Sequence, residues 1–248
     1  MPFTLSHIAL VLPLKNSKIL SFTGLVAGSV VPDFEFYFQL KEGTQIAHTI
    51  HGIFLFNLPL ALVLTFIFHL LLRDLLIINL PGSLRSKYEH IIGFDWLNYC
   101  KQNKLKLLVS IVLGCSGHIF IDGFTHQDSL LAQYLPILNT TVGVFDKPLS
   151  DVLQITLSSI GLIYLLWDLV KIPSPKTTIA KRHSFKHFWS ILISAAFIIL
   201  LFRLMLFPEY NSFWGIIIAT IGSACYAWII SAITSLIYSQ KNTNNVKS

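Results

Sequence analysis

Apolar residues along this chain occur in long blocks that are separated by short polar segments. Five blocks are long enough to cross a bilayer core at about 1.5 Å per helical residue. The pattern therefore predicts an all-α fold, a polytopic membrane helix bundle with about five full spans. The predicted spans cover roughly residues 52–72, 105–122, 152–170, 188–207 and 213–238.

Two shorter apolar stretches precede the first span. The stretch 5–14 is too short to cross a bilayer, and the polar segment 15–18 after it predicts a turn. The second stretch, 19–31, ends at Pro32. We expect a helical hairpin here, either re-entrant or packed on the bundle. A signal peptide is the alternative, but fourteen largely apolar residues precede the two lysines of the turn.

The domain organisation follows from these blocks. We expect a single integral membrane domain at 1–240, with the hairpin and a loop at 1–47 and the five-span bundle at 48–240. The polar tail at 241–248 is predicted to be disordered.

The distribution of charge predicts the orientation. Only 12% of the residues are charged, whereas soluble domains carry about 25%. The formal charge is +6, but Lys and Arg are concentrated in loops, six in 73–106 and five in 171–187, whereas 123–150 has one. These two basic loops and the C-terminus are predicted to be cytoplasmic. The basic residues fit lipid headgroups, and no nucleic-acid partner is expected.

Histidines and aspartates from three separate segments fall on the opposite, extracytoplasmic side of this topology. The loop charges alone predict that side, without reference to histidine. Ionisable residues in or near membrane helices are costly and are functional by default. The candidate metal ligands are His7, Asp33, His48, His51, His118, Asp122 and His126.

The spacing of these residues supports a shared site. His48 and His51 are three residues apart, and His118 and Asp122 are four apart, so each pair is predicted to share a helix face. Each residue also has an ordinary structural explanation, as a hydrogen-bonded pair between helices, an interfacial histidine or the end of a helix.

His126 complicates a one-metal site. It lies about 12 Å from His118 along a straight helix, which is too far for one ion. A helix break at Gly123 or a second metal would resolve this. Imidazole and carboxylate ligands favour zinc, with manganese or iron(II) as alternatives. The three cysteines are far apart, so a thiolate site is not indicated.

Four sequence motifs resemble a known family. They are MPFTLSHIALVLPL, GLVAGSVVPDFEFYF, HTIHGIFLFNLPLALVLTFIFH and GHIFIDGFTH. Together they resemble the domain-of-unknown-function family 4184, which comprises bacterial integral membrane proteins without an assigned activity. The resemblance covers roughly residues 1–135 and implies a multi-pass protein of the inner membrane.

A more distant resemblance concerns the order of the polar residues. The order is similar to that in the membrane-bound metal-dependent hydrolase group and, beyond it, in zinc-dependent phospholipase C. This resemblance implies phosphoester chemistry, although the late His-x-x-x-Glu pair of phospholipase C is not found here. The ligands it implies are His7, Asp33, His48, His118 and Asp122, with His51 or His126 completing the set.

Three functions are compatible with these residues. The first is a metal-dependent hydrolase acting on a lipid or other amphiphile, with Asp33 or Asp122 bridging metals or acting as general base. The second is a non-catalytic membrane protein with a structural metal or polar cluster. The third, an ion or metal transporter, would require polar residues along the whole bundle, and only Asp168 lies near the inner end of the third span.

Overall fold

The computed structural model describes residues 3–43, 46–173 and 185–245. Five of its helices are long and apolar enough to cross a membrane. The fold is an all-α bundle with very little sheet, as predicted. The helices and strands are α1 (Thr4–Leu14), α2 (Phe22–Val30), α3 (Phe34–Gln39), α4 (Ile50–Ile78), α5 (Gly82–Tyr88), α6 (Trp96–Gln102), α7 (Lys104–Thr125), α8 (Leu130–Tyr134), β1 (Thr141–Val142), β2 (Lys147–Pro148), α9 (Leu149–Lys171), α10 (Phe185–Leu206) and α11 (Phe213–Asn245).

The first spanning helix, α4, is longer than its apolar block. It continues six residues beyond Leu72, because Arg73 Nε donates a 2.6 Å hydrogen bond to Asp74 Oδ1 and the charged pair is tolerated within the helix. Residues Ile53–Asn57 form a π-helical turn just before Pro59, which has no N–H to donate to the preceding turn.

The last helix, α11, also differs from its predicted end. It continues to Asn245, so residues 241–245 are helical rather than part of a disordered tail. Residues 246–248 lie outside the described part of the chain. The same holds for residues 174–184, which make up most of the basic loop at 171–187.

The chain divides into two compact units. The first contains Met1–Asp33, Gln45–Thr65 and Leu97–Ile172. The second contains Phe34–Thr44, Phe66–Trp96 and Pro173–Ser248. All seven candidate ligands belong to the first unit, and the single membrane domain at 1–240 stays a prediction.

Close packing of α2 against α7 organises the first unit. A Cβ added at Gly28 would lie 2.1 Å from the carbonyl oxygen of Ile111, and one added at Gly114 would lie 2.4 Å from that of Leu25. Only glycine allows the two backbones to approach this closely. The Ser21 N–H also donates to Ser110 Oγ at 2.7 Å, which connects the start of α2 to α7.

The N-terminal helix α1 packs against both α2 and α9, so the predicted hairpin lies on the bundle. Gly161 of α9 faces the carbonyl oxygen of Ser6, where an added Cβ would approach to 2.8 Å. At the other end of the hairpin, Lys15 forms an ion pair with Asp168. These contacts hold the two ends of α1 against α9.

The second unit has its own packing. Phe188 and Leu192 of α10 form a core with Ala227 of α11. The buried Arg203 guanidinium donates to the carbonyl oxygens of Leu40 and Tyr210, which ties the α3 loop to the end of α10.

Candidate metal centre

Three chain segments bring histidine and aspartate side chains together in the first unit. Asp33 ends the short 3-10 turn that follows α2. His48 ends another 3-10 turn just before α4. His118 and Asp122 lie one helical turn apart on α7. One ligand atom from each of these four residues lies within 4.8 Å of the other three, and three of the residues are buried.

Most nitrogen-to-oxygen distances inside this group are longer than those of ordinary charged hydrogen bonds. His118 Nε2 lies 3.1 Å from Asp122 Oδ2 and 3.5 Å from Asp33 Oδ1. His48 Nε2 lies 3.4 Å from Asp122 Oδ2 and 3.5 Å from Asp33 Oδ1. Charged N–H···O hydrogen bonds are usually about 2.8 Å long. Three of these four separations are therefore too long for good direct hydrogen bonds.

The same distances fit atoms arranged around a common cation. Two ligand atoms that each lie about 2.1 Å from a tetrahedral zinc ion are about 3.4 Å apart. All four nitrogen-to-oxygen separations lie close to this value. This buried Asp–His–His–Asp group can hold a metal ion.

The ring orientation of His118 also fits a ligand. Its Nδ1 lies 2.7 Å from the carbonyl oxygen of Ser29 and donates a hydrogen bond to it. The ring is fully buried, and Nε2 faces the two carboxylates without a hydrogen bond of good geometry. A proton on Nδ1 leaves the Nε2 lone pair directed into the group, as in most histidine ligands of metals.

Asp33 is held by a residue that the sequence interpretation did not single out. Thr4 Oγ1 donates a buried hydrogen bond to Asp33 Oδ2, so that Oδ1 faces His48 and His118. Thr4 lies one helical turn before His7, and this proximity is the feature of the sequence from which a role for Thr4 could have been predicted. The carbonyl oxygen of Ser29 that accepts from His118 belongs to the backbone, so no side-chain type in the sequence could indicate this contact.

His7 lies at the edge of the group. Its ring stacks on that of His118, with centroids 3.7 Å apart, and its Nε2 lies 3.5 Å from Asp122 Oδ1. The side chain is fully buried, and neither ring nitrogen has a hydrogen-bond partner among the residues that the structure describes. His7 therefore lies beside Asp122 Oδ1, while Asp122 Oδ2 faces His48 and His118.

Burial and neighbouring charges shift the pKa of the groups of this site that lie outside the spans. Burial lowers the pKa of His7 to about 3, and the adjacent His118 acts in the same direction, so His7 is a neutral imidazole. Burial alone would raise the pKa of Asp33, but before a cation binds the positive charge of protonated His118 and hydrogen bonds from His118 and His48 hold it well below its ordinary value.

His48 shows the opposite balance. Burial tends to lower its pKa, but the carboxylates of Asp122 and Asp33 outweigh burial and raise it. Protons and cations therefore compete for the same position between the two carboxylates.

The group is partly accessible from one side. The side chains of His48 and Asp33 are 14% and 11% exposed, whereas those of His7 and His118 are fully buried. The small accessible area of the group therefore lies at His48 and Asp33.

Besides His7 at its edge, two more predicted ligands lie outside the four-residue group. Helix α4 begins at Ile50 with Thr49 as an extended N-cap, so His48 and His51 do not share a helix face and His51 is exposed. Helix α7 ends at Thr125, and His126 Nδ1 contacts the carbonyl oxygen of Asp122 at 3.1 Å. The expected break thus lies at the end of the helix rather than at Gly123.

Comparison with known proteins assigns the chain to a family. No curated protein and no solved structure matches the chain. One family model, described as Domain of unknown function (DUF4184), matches residues 1–239. Because the match includes all the ligand-bearing segments and nearly the whole sequence, the chain belongs to the DUF4184 family.

Proposed function

We propose that this protein is a membrane-embedded, metal-dependent hydrolase that cleaves a phosphoester or ester bond of a lipid or other amphiphile at the extracytoplasmic face. The supporting observation is the arrangement of four ligand atoms at separations of 3.1 to 3.5 Å between imidazole nitrogens and carboxylate oxygens. Two imidazoles and two carboxylates form a donor set that suits zinc first, and manganese or iron(II) next.

Charge balance supports a divalent cation. The carboxylates of Asp33 and Asp122 are nearly buried. Two buried like charges repel, and without a cation they are balanced only by protons on the neighbouring imidazoles. A divalent cation would neutralise both carboxylates without protonating a histidine.

The two carboxylates have different roles in this proposal. A bound metal ion would supply an activated water molecule and would polarise the scissile phosphoryl or acyl oxygen. Asp33 presents one oxygen to the group, since Thr4 donates to the other. Asp122 faces two histidines with Oδ2 and His7 with Oδ1, so it is the carboxylate placed to accept a proton from water.

The position of the group suits an amphiphilic substrate. Asp122 lies one turn before the end of the spanning helix α7, and His48 lies two residues before the spanning helix α4. Span ends lie at the bilayer surface, where the polar bonds of lipids are located. The distribution of Lys and Arg between loops favours the extracytoplasmic surface.

The first experiment measures metal content. The detergent-purified wild type is expected to contain about one zinc, manganese or iron ion per chain by elemental mass spectrometry. The variants His118→Ala and Asp33→Asn are expected to lose it. Asp128→Asn is the control, because Asp128 is exposed in the loop after α7 and is not one of the four ligands. Absence of metal above background in the wild type would exclude every metal-based function.

The second experiment measures turnover in mixed micelles of phospholipids and ester lipids. Wild type and Asp128→Asn are expected to hydrolyse at least one lipid class, and His118→Ala is expected to be inactive. Activity that is unchanged in His118→Ala would contradict the proposal.

A structural metal is the second candidate. Its supporting observation is that the ligands come from three separate segments, so a bound ion would tie the turns after α2 and before α4 to α7. Stoichiometric metal without turnover of any tested lipid, together with loss of the helical fold on chelation, would favour this role.

A further inference from the structure

The loop between α7 and α9 contains an uncharged segment outside the spans. Residues 130–145, sixteen in all, include no Asp, Glu, Lys, Arg or His. The basic loops of the same chain carry five or six Lys and Arg each. A loop in water is normally rich in charge, so this composition is typical of a segment in contact with lipid.

The segment is folded, with Ala132 and Leu138 buried and several large apolar side chains exposed. Helix α8 leads into a 3-10 turn at Pro136–Asn139, and β1 and β2 then form a small hairpin. The N–H groups of Phe145 and Asp146 both donate to the carbonyl oxygen of Val142, which closes the hairpin loop. Ala132 and Leu138 are buried and hold the segment in place.

Large apolar residues of this segment remain exposed despite the ordered backbone. Val144 and Phe145, at the tip of the hairpin, are 87% and 61% exposed. Tyr134 and Ile137 are 80% and 62% exposed. Exposed apolar groups gathered in one short segment indicate an interaction surface.

We propose that residues 130–145, the outer loop segment, insert into the boundary between headgroups and acyl chains of the bilayer, with Val144 and Phe145 deepest. Continuity with the spans identifies the partner. The segment begins five residues after the end of α7 and stops four residues before the start of α9. Phe120 near the end of α7 and Ile155 near the start of α9 are also exposed, as lipid-facing residues of spans are.

The polar residues around the tip fit the same location. Lys147 lies two residues after Phe145, just beyond the exposed Asp146, and it is the one Lys or Arg between residues 123 and 150. Its long side chain can reach lipid phosphates while the tip lies among acyl chains. Tyrosine, with a ring and a hydroxyl group, is enriched at membrane–water interfaces, and Tyr134 fits that preference.

This inference concerns binding to lipid and does not depend on hydrolysis. The segment follows Asp122 closely in the same unit. If the proposed function holds, lipid drawn to this segment would lie beside the metal centre.

Depth-dependent fluorescence quenching tests the insertion. The background protein carries Cys100→Ser and Cys225→Ser and keeps Cys115, which is fully buried and inaccessible to label. An environment-sensitive fluorophore is attached through Phe145→Cys, Val144→Cys or, as control, Asp128→Cys in the same loop. The proteins are reconstituted into phosphatidylcholine vesicles at about one chain per vesicle, with or without lipids spin-labelled near the headgroup end of the acyl chain.

We expect fluorophores at positions 144 and 145 to be quenched about threefold more strongly than one at position 128, because interfacial segments lie several ångströms below the headgroups. Equal quenching at all three positions would overturn the inference. The inference would also be overturned if the fluorophores at the tip were shielded from water only at a high protein-to-lipid ratio. That result would indicate that a second copy of the chain covers the tip instead of lipid.

Two labelled positions keep the test decisive if one variant misfolds, since helicity by circular dichroism identifies that variant and the other position then decides. Metal content is measured on the same samples. Normal metal with no lipid quenching rejects the inserted segment alone, and lipid quenching without metal rejects the proposed function alone.

Discussion

At the scale of single residues, two of the four candidate ligands are oriented by partners outside the candidate metal centre. His118 Nδ1 donates to the Ser29 carbonyl oxygen, and Thr4 donates to Asp33. Such contacts fix which nitrogen or oxygen is available for a cation. The affinity for metal should therefore depend on residues that never contact the ion.

Thr4→Val tests this dependence. The substitution keeps the shape of the side chain but removes its donor, so Asp33 can rotate and one ligand becomes less well placed. We expect zinc affinity, measured by competition with a chelating dye, to fall about 10- to 100-fold. Thr220→Val is the matched control, because Thr220 is exposed and its hydroxyl donates within its own helix. Equal affinities in the two variants would contradict an orienting role for Thr4.

His48 and His51 allow a second comparison. His48 Nε2 faces both carboxylates, whereas His51 is exposed on the first turn of α4. We therefore expect His48→Ala to lose bound metal and His51→Ala to keep it, measured as metal per chain after dialysis. Loss of metal in His51→Ala alone would show that the first turn of α4 is arranged differently when metal binds.

At the scale of elements, the approach of α2 to α7 sets the distance between Asp33 and His118. Gly28 and Gly114 allow backbone contact, and the Ser29 carbonyl that orients His118 belongs to the same part of α2. A larger residue at this crossing would separate the helices and open the metal centre at the same time.

Gly114→Ala is the corresponding prediction. Its Cβ would meet the Leu25 carbonyl oxygen at 2.4 Å, and backbone cannot move aside as easily as a side chain. We expect destabilisation of about 1–3 kcal/mol together with weaker metal binding, measured by thermal unfolding in detergent with and without zinc.

Gly117→Ala serves as its control on the same helix. An added Cβ at Gly117 meets no atom within 4 Å, so stability and affinity should be unchanged or slightly improved. If Gly114→Ala behaves like Gly117→Ala, the helix crossing does not position the centre.

At the scale of the whole molecule, the distribution of loop charges predicts the orientation in the membrane. Five helices can span the bilayer, and their basic loops alternate with loops poor in Lys and Arg. We expect the loop at 123–150, and with it the metal centre, on the extracytoplasmic side.

Labelling in intact cells measures this orientation. In the background with Cys100→Ser and Cys225→Ser, a membrane-impermeant maleimide should react with Asp128→Cys in intact cells. It should react with Ser83→Cys, which is exposed in the basic loop, only after lysis. The reverse pattern would place the centre on the cytoplasmic side and would rule out an extracytoplasmic substrate.

The sequence by itself determined the elements of the fold and most residues of the centre. Long apolar blocks make spanning helices wherever the surroundings are lipid, so the five spans and the hairpin are predictable from local composition. The four-residue spacing of His118 and Asp122 holds because both lie inside one continuous helix.

Only the tertiary structure decided how those residues combine. A three-residue spacing implies a shared face only if the helix includes both positions, and Thr49 in an extended conformation separates His48 from His51. The roles of Thr4 and the Ser29 carbonyl depend on contacts between distant segments, and the glycine crossing of α2 and α7 creates those contacts. Hydropathy and spacing are local properties, whereas a metal centre is set by distances between atoms that lie far apart in the chain.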